Sequence, residues 1–410
     1  MKKIVFSIIL TLTLTNVFAQ WTLLSPTPTN EDLLAIHFPN HNTGFIVGRN
    51  GTILKTCDSG TTWITQVSGT LKDLSSVYFS NSDIGYSVGF SGTILKTIDG
   101  GTTWNSLTSG TTKGLTSVCF TDSQTGFAVG DSGTLLKTIN GGVTWNLHQG
   151  YSANFTSVFF NDANNGYVVG SSGTIIETVD GGQTWFPQFS NSDRELRSVY
   201  FTDINNGYAI VTNPHYSVEE LINFIKTTDG GTTWNPIMNI TTSDIYSLCF
   251  TNADTGYTVG GIHYRQKGIV FKTLNGGATW DTLSIGDTPW LSSVFFTDVN
   301  TGYVAGGSGT ILKTTSGGTL SIKEVKSTPP IFSITPNPAV NKISITSPTN
   351  LCKETNIHIF NIQGENLINK IFHNQDRIEL DVSILKPGIY LIKMQTIYGV
   401  EIQKLVIQKQ

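Results

Sequence analysis

One octapeptide recurs along the chain: Thr97-Ile98-Asp99-Gly100-Gly101-Thr102-Thr103-Trp104 returns as Thr56 to Trp63, Thr138 to Trp145, Thr178 to Trp185, Thr227 to Trp234 and Thr273 to Trp280. A worn copy, Thr314 to Leu320, lacks the Trp. Such repetition means an array of equivalent modules, each too small to bury its own apolar face. The residue types describe a corner between two β-strands. An Asp or Asn side chain accepts backbone N–H bonds, paired glycines take positive φ, and the Trp ring packs sideways into apolar neighbours.

Composition agrees. The 410 residues include 42 Gly and are only 13% charged, which reads as β-rich and globular, with no helix expected. A net charge of −4 and the absence of a Lys/Arg cluster exclude nucleic acid as an expected partner. Lys2 and Lys3, the apolar run from Ile4 to about Leu14, and Val17-Phe18-Ala19 form a secretory signal over residues 1–19, so the mature chain is expected to begin near Gln20. No later stretch is apolar enough to span a bilayer. Export permits disulfides, but Cys57, Cys119, Cys249 and Cys352 show no paired spacing. All four are expected to be reduced, small and buried.

Between Gln20 and about Leu320 each unit carries four short apolar runs. In the third they are Leu115–Phe120, Gly126–Gly130, Gly133–Thr138 and Thr144–Leu147, a four-stranded antiparallel meander. The second run supplies a ruler: Gly44-Phe45, Gly85-Tyr86, Gly126-Phe127, Gly166-Tyr167, Gly207-Tyr208, Gly256-Tyr257 and Gly302-Tyr303, spaced by 41, 41, 40, 41, 49 and 46 residues. That spacing is one propeller blade. The last unit stops at Gly318-Thr319 without its Trp strand, while the chain opens with an orphan one, Trp21-Thr22-Leu23-Leu24. The N-terminal strand is therefore expected to complete the last blade and remove the exposed edges of an open array. The expected fold is all-β, a seven-bladed β-propeller over 20–320.

These residues carry a resemblance. Ser/Thr-x-Asp-x-Gly-x-Thr-Trp is similar to the Asp-box or BNR repeat, and Gly-Tyr-x-Val-Gly followed by Gly-Thr-Ile-Leu-Lys-Thr resembles the photosystem II assembly/stability factor type of propeller. After a polar linker, 321–330, residues 331–410 form a second β domain, expected to be a small sandwich. Its Pro336-Asn337-Pro338, Ile359-Phe360-Asn361-Ile362-Gln363-Gly364 and Asp381 to Tyr390 resemble the C-terminal sorting domain of the type IX secretion system of Bacteroidota. The resemblance implies the type IX machinery as a partner and delivery to the cell surface or medium, with no photosynthetic role.

The repeated residues read as structural: Asp58, Asp99, Asp180 and Asp229 alternate with Asn140 and Asn275, which keep the turn's hydrogen bond but not its charge. Trp63, Trp104, Trp145, Trp185, Trp234 and Trp280 follow them. A recurring Lys at 55, 96, 137, 226, 272 and 313, replaced once by Glu177, is expected on a solvated face or in exposed ion pairs. Function is expected where the repeat breaks. Two insertions, Asn213 to Glu220 and Ile262 to Lys267, fall on the face opposite the Asp-box turns. The candidate binding residues are His215, Tyr216, Glu219, His263, Tyr264 and Arg265 within them, with Arg49, Arg197 and Trp290 on the same face.

Asp-box propellers include glycosidases. A sialidase of the known kind needs an arginine triad, a Tyr nucleophile and six blades, and the propeller offers only Arg49, Arg194, Arg197 and Arg265. An inverting glycosidase needs two separated carboxylates, for which Asp131, Glu195, Glu219, Glu220 and Asp244 are available with no spacing that selects a pair. No nucleophile elbow, zinc motif or phosphate loop is present, so no cofactor, metal or catalytic residue is expected. The sequence thus reads as an exported, monomeric, non-catalytic module that binds a glycan or a protein. The alternative is a secreted glycoside hydrolase using carboxylates on the insertion face.

Overall fold

The computed structural model describes residues 21–212, 224–237, 244–262, 267–318, 332–346, 355–361, 366–373, 375, 377–396 and 399–408. The chain divides into two compact units, Met1–Ser321 and Ile322–Gln410. Among the described residues the first unit holds seven four-stranded antiparallel sheets. Their inner strands are Leu33–His37, Leu74–Phe79, Leu115–Phe120, Phe155–Phe160, Leu196–Phe201, Asp244–Phe250 and Leu291–Phe296. Among the described residues helix is confined to three-residue 3-10 turns such as Asp131–Gly133. That turn starts the third strand of its sheet at Thr134, and the outer strand runs Asn146–His148, just past Trp145.

Six sheets take their strands in chain order, and the seventh does not. Thr22–Leu23 pairs with Ile311–Thr314 in the register Thr22↔Lys313 and Leu23↔Leu312, so the first strand of the described chain is the outer strand of the last sheet. The bond that joins this sheet to the first one is the same as at four of the other six seams. Ser293 Oγ accepts from Ile36 N at 3.3 Å, as Ser76 accepts from Val118 N, Ser117 from Val158 N, Ser157 from Val199 N and Ser247 from Val294 N. The ring is a closed seven-bladed propeller.

A three-ring aromatic contact explains why the motifs repeat. In each sheet the Phe ending the inner strand stacks on the Tyr or Phe of the preceding sheet and meets the edge of its own sheet's Trp. Phe120 lies 3.9 Å from Tyr86 and 6.0 Å from Trp145, the latter at 85°. In the last sheet Phe296 lies 4.0 Å from Tyr257 and 5.8 Å from Trp21 at 86°. Trp21 has taken the place that an Asp-box Trp fills elsewhere. The ruler glycines are bare because of the same ring: a side chain at Gly126 would run into Phe120.

The second unit has a three-stranded sheet, Ser333–Thr335, Lys342–Thr346 and Arg377–Asp381, and a four-stranded one. The latter runs in the order Asn366–Phe372, Thr355–Phe360, Gly388–Thr396 and Gly399–Ile407. Alternating residues of both, including Ile343, Ile345, Ile357, Ile359, Ile378, Ile392 and Leu405, share one core, which makes it a β-sandwich.

Candidate functional site

The Asp-box turns are self-contained. Thr97 Oγ1 donates to Asp99 Oδ1 and accepts from Gly101 N, both at 2.8 Å, while Asp99 takes the Thr103 backbone N–H at 2.9 Å and the Thr103 hydroxyl at 2.7 Å. Asn140 reproduces the pattern with Thr138 and Thr144. The hydroxyl of Thr62, followed by its N–H, holds the Asp58 carboxyl down to about 2, and the N–H and hydroxyl of Thr103 do the same for Asp99.

At five of its six positions the recurring Lys departs from the sequence expectation, because its ammonium is not left to solvent. Lys96 Nζ donates to Gly141 O at 2.6 Å, Lys137 to Gly181 O at 2.7 Å and Lys313 to Ser59 O at 2.6 Å, so each pins the next sheet's Asp-box turn. The Tyr of the ruler joins it: Tyr257 Oη and Lys272 Nζ both reach Gly317 O at 2.6 Å. Burial lowers the pKa of Lys96, Lys137 and Lys272 accordingly. Where Glu177 replaces the Lys, the Tyr167 hydroxyl reaches Gly230 O at 2.7 Å and Glu177 Oε1 at 3.1 Å, and burial raises the Glu177 pKa. The cysteines also depart in part: Cys57, Cys119 and Cys249 are free thiols, but Cys57 is exposed.

The second residue of the inner strand is where the repeat breaks. Thr116, Thr156 and Ser292 occupy it in the third, fourth and seventh sheets, each hydroxyl reaching a carbonyl of the next inner strand: Phe155 O, Leu196 O and Leu33 O. In the fifth sheet the position holds Arg197, and in the sixth, whose inner strand starts one residue earlier, it holds Tyr246. The Arg197 guanidinium lies 4.7 Å from the Tyr246 ring centroid, Tyr246 meets Trp290 at 5.9 Å and 63°, and Arg197 Nε bonds Glu195 Oε1 at 3.3 Å. Glu195, Arg197, Tyr246 and Trp290 thus form a half-buried row across three sheets, at the channel end away from the Asp-box turns.

The first insertion leaves from this row, and the second starts and finishes against it. Thr212, the last described residue before 213–223, donates its N–H to Glu195 O at 2.9 Å. Gly261 and Gly268 pair at the stem of the second, Gly268 N donates to Thr288 O at 2.8 Å, and Lys267 bridges Pro289. A side chain at Gly261 would collide with the Trp290 Cβ and one at Gly307 with its indole, so two bare backbones seat the residue. His215, Tyr216 and Glu219, and His263, Tyr264 and Arg265, lie outside the described residues. Of the remaining candidates, Arg197 and Trp290 come together. Arg49 does not join them: it sits in the first sheet, paired with Asp32 at 3.2 Å. Tyr246, the link between the two, was missed by sequence reasoning. The signal was a Tyr aligned with a run of Ser and Thr.

Residues 333–408 match the family model described as a secretion system C-terminal sorting domain. Residues 15–111 and 148–240 match that of the photosynthesis system II assembly factor YCF48. The chain is an Asp-box propeller with a type IX sorting domain. The solved structure of YCF48 from Cyanidioschyzon merolae is 19% identical with a TM-score of 0.60, covering 72% of this chain and 99% of that one. YCF48 bound to D1 peptide gives the same identity and score over 72% and 97%. The GH74 enzyme of Niastella koreensis is 13% identical with a TM-score of 0.59 over 95% of this chain and 75% of that one. At these identities the likeness is one of fold. No curated protein matches the chain in sequence. The sorting domain marks the propeller for export by type IX secretion, to the cell surface or the medium. Among the described residues no helix is long and apolar enough to cross a membrane.

Proposed function

We propose that, once the leader 1–19 is removed, the exported propeller is a non-catalytic binding module whose working face carries the two insertions. The single observation behind this reading is the row Glu195–Arg197–Tyr246–Trp290. It replaces structural hydroxyls in the two sheets that bear the insertions, and it meets the stems of both. A rigid ring that presents a half-buried Arg and two aromatic rings has the composition of a recognition hot spot. YCF48, of the same fold, is known bound to a peptide, which supports binding as a use of this ring. Hydrolysis, suggested by the GH74 fold, requires a second carboxylate across the site. The described row supplies one, Glu195, and it is tied to Arg197.

Screening the full chain against glycan and peptide arrays, with product analysis on every hit, tests the reading. Retention without cleavage is expected. The double substitution Arg197→Ala and Trp290→Ala should abolish retention, whereas Ile98→Ala with Ile139→Ala on the Asp-box side should leave it intact. The reverse pattern would place the working face on the other side, and new reducing ends would make the protein a glycoside hydrolase.

A further inference from the structure

We infer that the row Arg197–Tyr246–Trp290 takes an anionic saccharide, with a uronate carboxylate on the Arg197 fork and sugar ring faces against Trp290 and Tyr246. This rests on the binding reading above and names its ligand class.

The argument begins with what the site lacks. A peptide added as a strand needs vacant backbone donors along a sheet edge. On the channel side of the inner strands that flank Tyr246, the central donors are taken: Val199 N donates to Ser157 Oγ at 3.4 Å and Val294 N to Ser247 Oγ at 3.2 Å. Recognition here is therefore left to side chains. The side chains are flat, with the Tyr246 and Trp290 rings at 63°, the indole seated over Gly307 and its Cβ against Gly261, so it is fixed before any ligand arrives. Pre-placed aromatic faces with few rotamers to freeze suit the C–H faces of a pyranose, which bring apolar surface without needing a deep apolar pocket.

The charge comes from Arg197. Its Nε is held by Glu195 and its face by Tyr246, which fixes the plane of the guanidinium. Its terminal nitrogens have no partner among the described residues. A planar fork with paired N–H donors matches a carboxylate in two parallel bonds, which a lysine does not. Glu195 competes for the same cation. Removing it should strengthen anion binding, an effect that misfolding does not imitate.

The test is titration calorimetry on the full chain, sorting domain included, with three probes: hexagalacturonate, its methyl ester, and a neutral cello-oligosaccharide of equal length. An aspartate-rich peptide serves as the fourth arm. The free acid is expected to bind, less tightly as salt rises, and the ester and the neutral sugar to bind at least tenfold more weakly. Arg197→Ala and Trp290→Ala should each weaken the acid about tenfold or more, Arg197→Lys should fall between, and Glu195→Gln should tighten it. Thermal unfolding of each variant separates a lost site from a lost fold, and Arg197→Lys carries the test if the Ala variant does not fold. Equal binding of ester and acid, or indifference to Arg197→Lys, overturns the ligand class while leaving the binding reading standing. Peptide binding that depends on Arg197 and Trp290 does likewise, in favour of a protein partner. If no array ligand or probe responds to any substitution in the row, both readings fall.

Discussion

The Thr97 hydroxyl serves two partners at once, donating to Asp99 and accepting the N–H of Gly101, and the side chain is fully buried. Thr97→Val keeps its shape and strands that N–H, so it should cost about 1–3 kcal/mol in denaturant unfolding. Asp99→Asn should cost little at neutral pH, because Asn140 and Asn275 already hold the same turn. Acid separates two kinds of residue. Burial among Tyr78, Phe79 and Phe295 pushes the His37 imidazole down to about 4, below its ordinary 6.5. Its folded pKa is depressed, so its contribution is complete above 6.5 and is lost as pH falls through 4. The Asp58 and Asp99 carboxyls are also depressed, from 3.8 to about 2, so theirs is complete above 3.8 and is lost toward 2. Melting temperatures across pH should therefore decline in two limbs. His37→Phe should flatten the upper limb alone, and Asp58→Asn with Asp99→Asn should lessen only the lower, which Asp180 and Asp229 share.

At the level of elements, the ring is held by its seams, each a cluster of three aromatic rings, and in four of them a Tyr and a Lys donate to one carbonyl. At the seam between the sixth and seventh sheets Tyr257 and Lys272 share Gly317 O, so either donor alone keeps that carbonyl satisfied. Tyr257→Phe and Lys272→Met should each be mild, and the pair should exceed their sum by about 1 kcal/mol or more, read from a double-mutant cycle. The seam after the fourth sheet has a half-buried carboxyl where the others have an ammonium. Glu177→Lys should restore a donor to Gly230 O and stabilise by about 1 kcal/mol, seen as a higher melting temperature.

For the whole molecule, closure depends on a graft. Trp21 is 4% exposed and meets Phe296 edge-on, so Trp21→Ala should cost about 3–5 kcal/mol, as an internal Trp would. A loss of less than about 1 kcal/mol would mean the ring does not rely on its first strand. Residues 333–408 are the sorting domain, so a chain ending at Phe332 should stay inside the outer membrane, as fractionation of cells and medium would show.

The propeller was legible because every module must solve the same packing problem. The Gly under each Phe, the Trp beside it and the Asx in six of the seven corners are dictated by contacts that recur every 40-odd residues, so local spacing alone carries blade count and closure. The candidate site was legible only as a face, since the broken repeats and insertions announce themselves along the chain while their meeting point does not. Arg197, Tyr246 and Trp290 are 49 and 44 residues apart, and only the ring places them side by side. The Lys row misled for the same reason: a charge on a strand reads as solvated until the neighbouring sheet brings a carbonyl to it. Periodic contacts are written into the sequence because each module repeats them. Contacts between different modules are made once, and only the closed ring decides them.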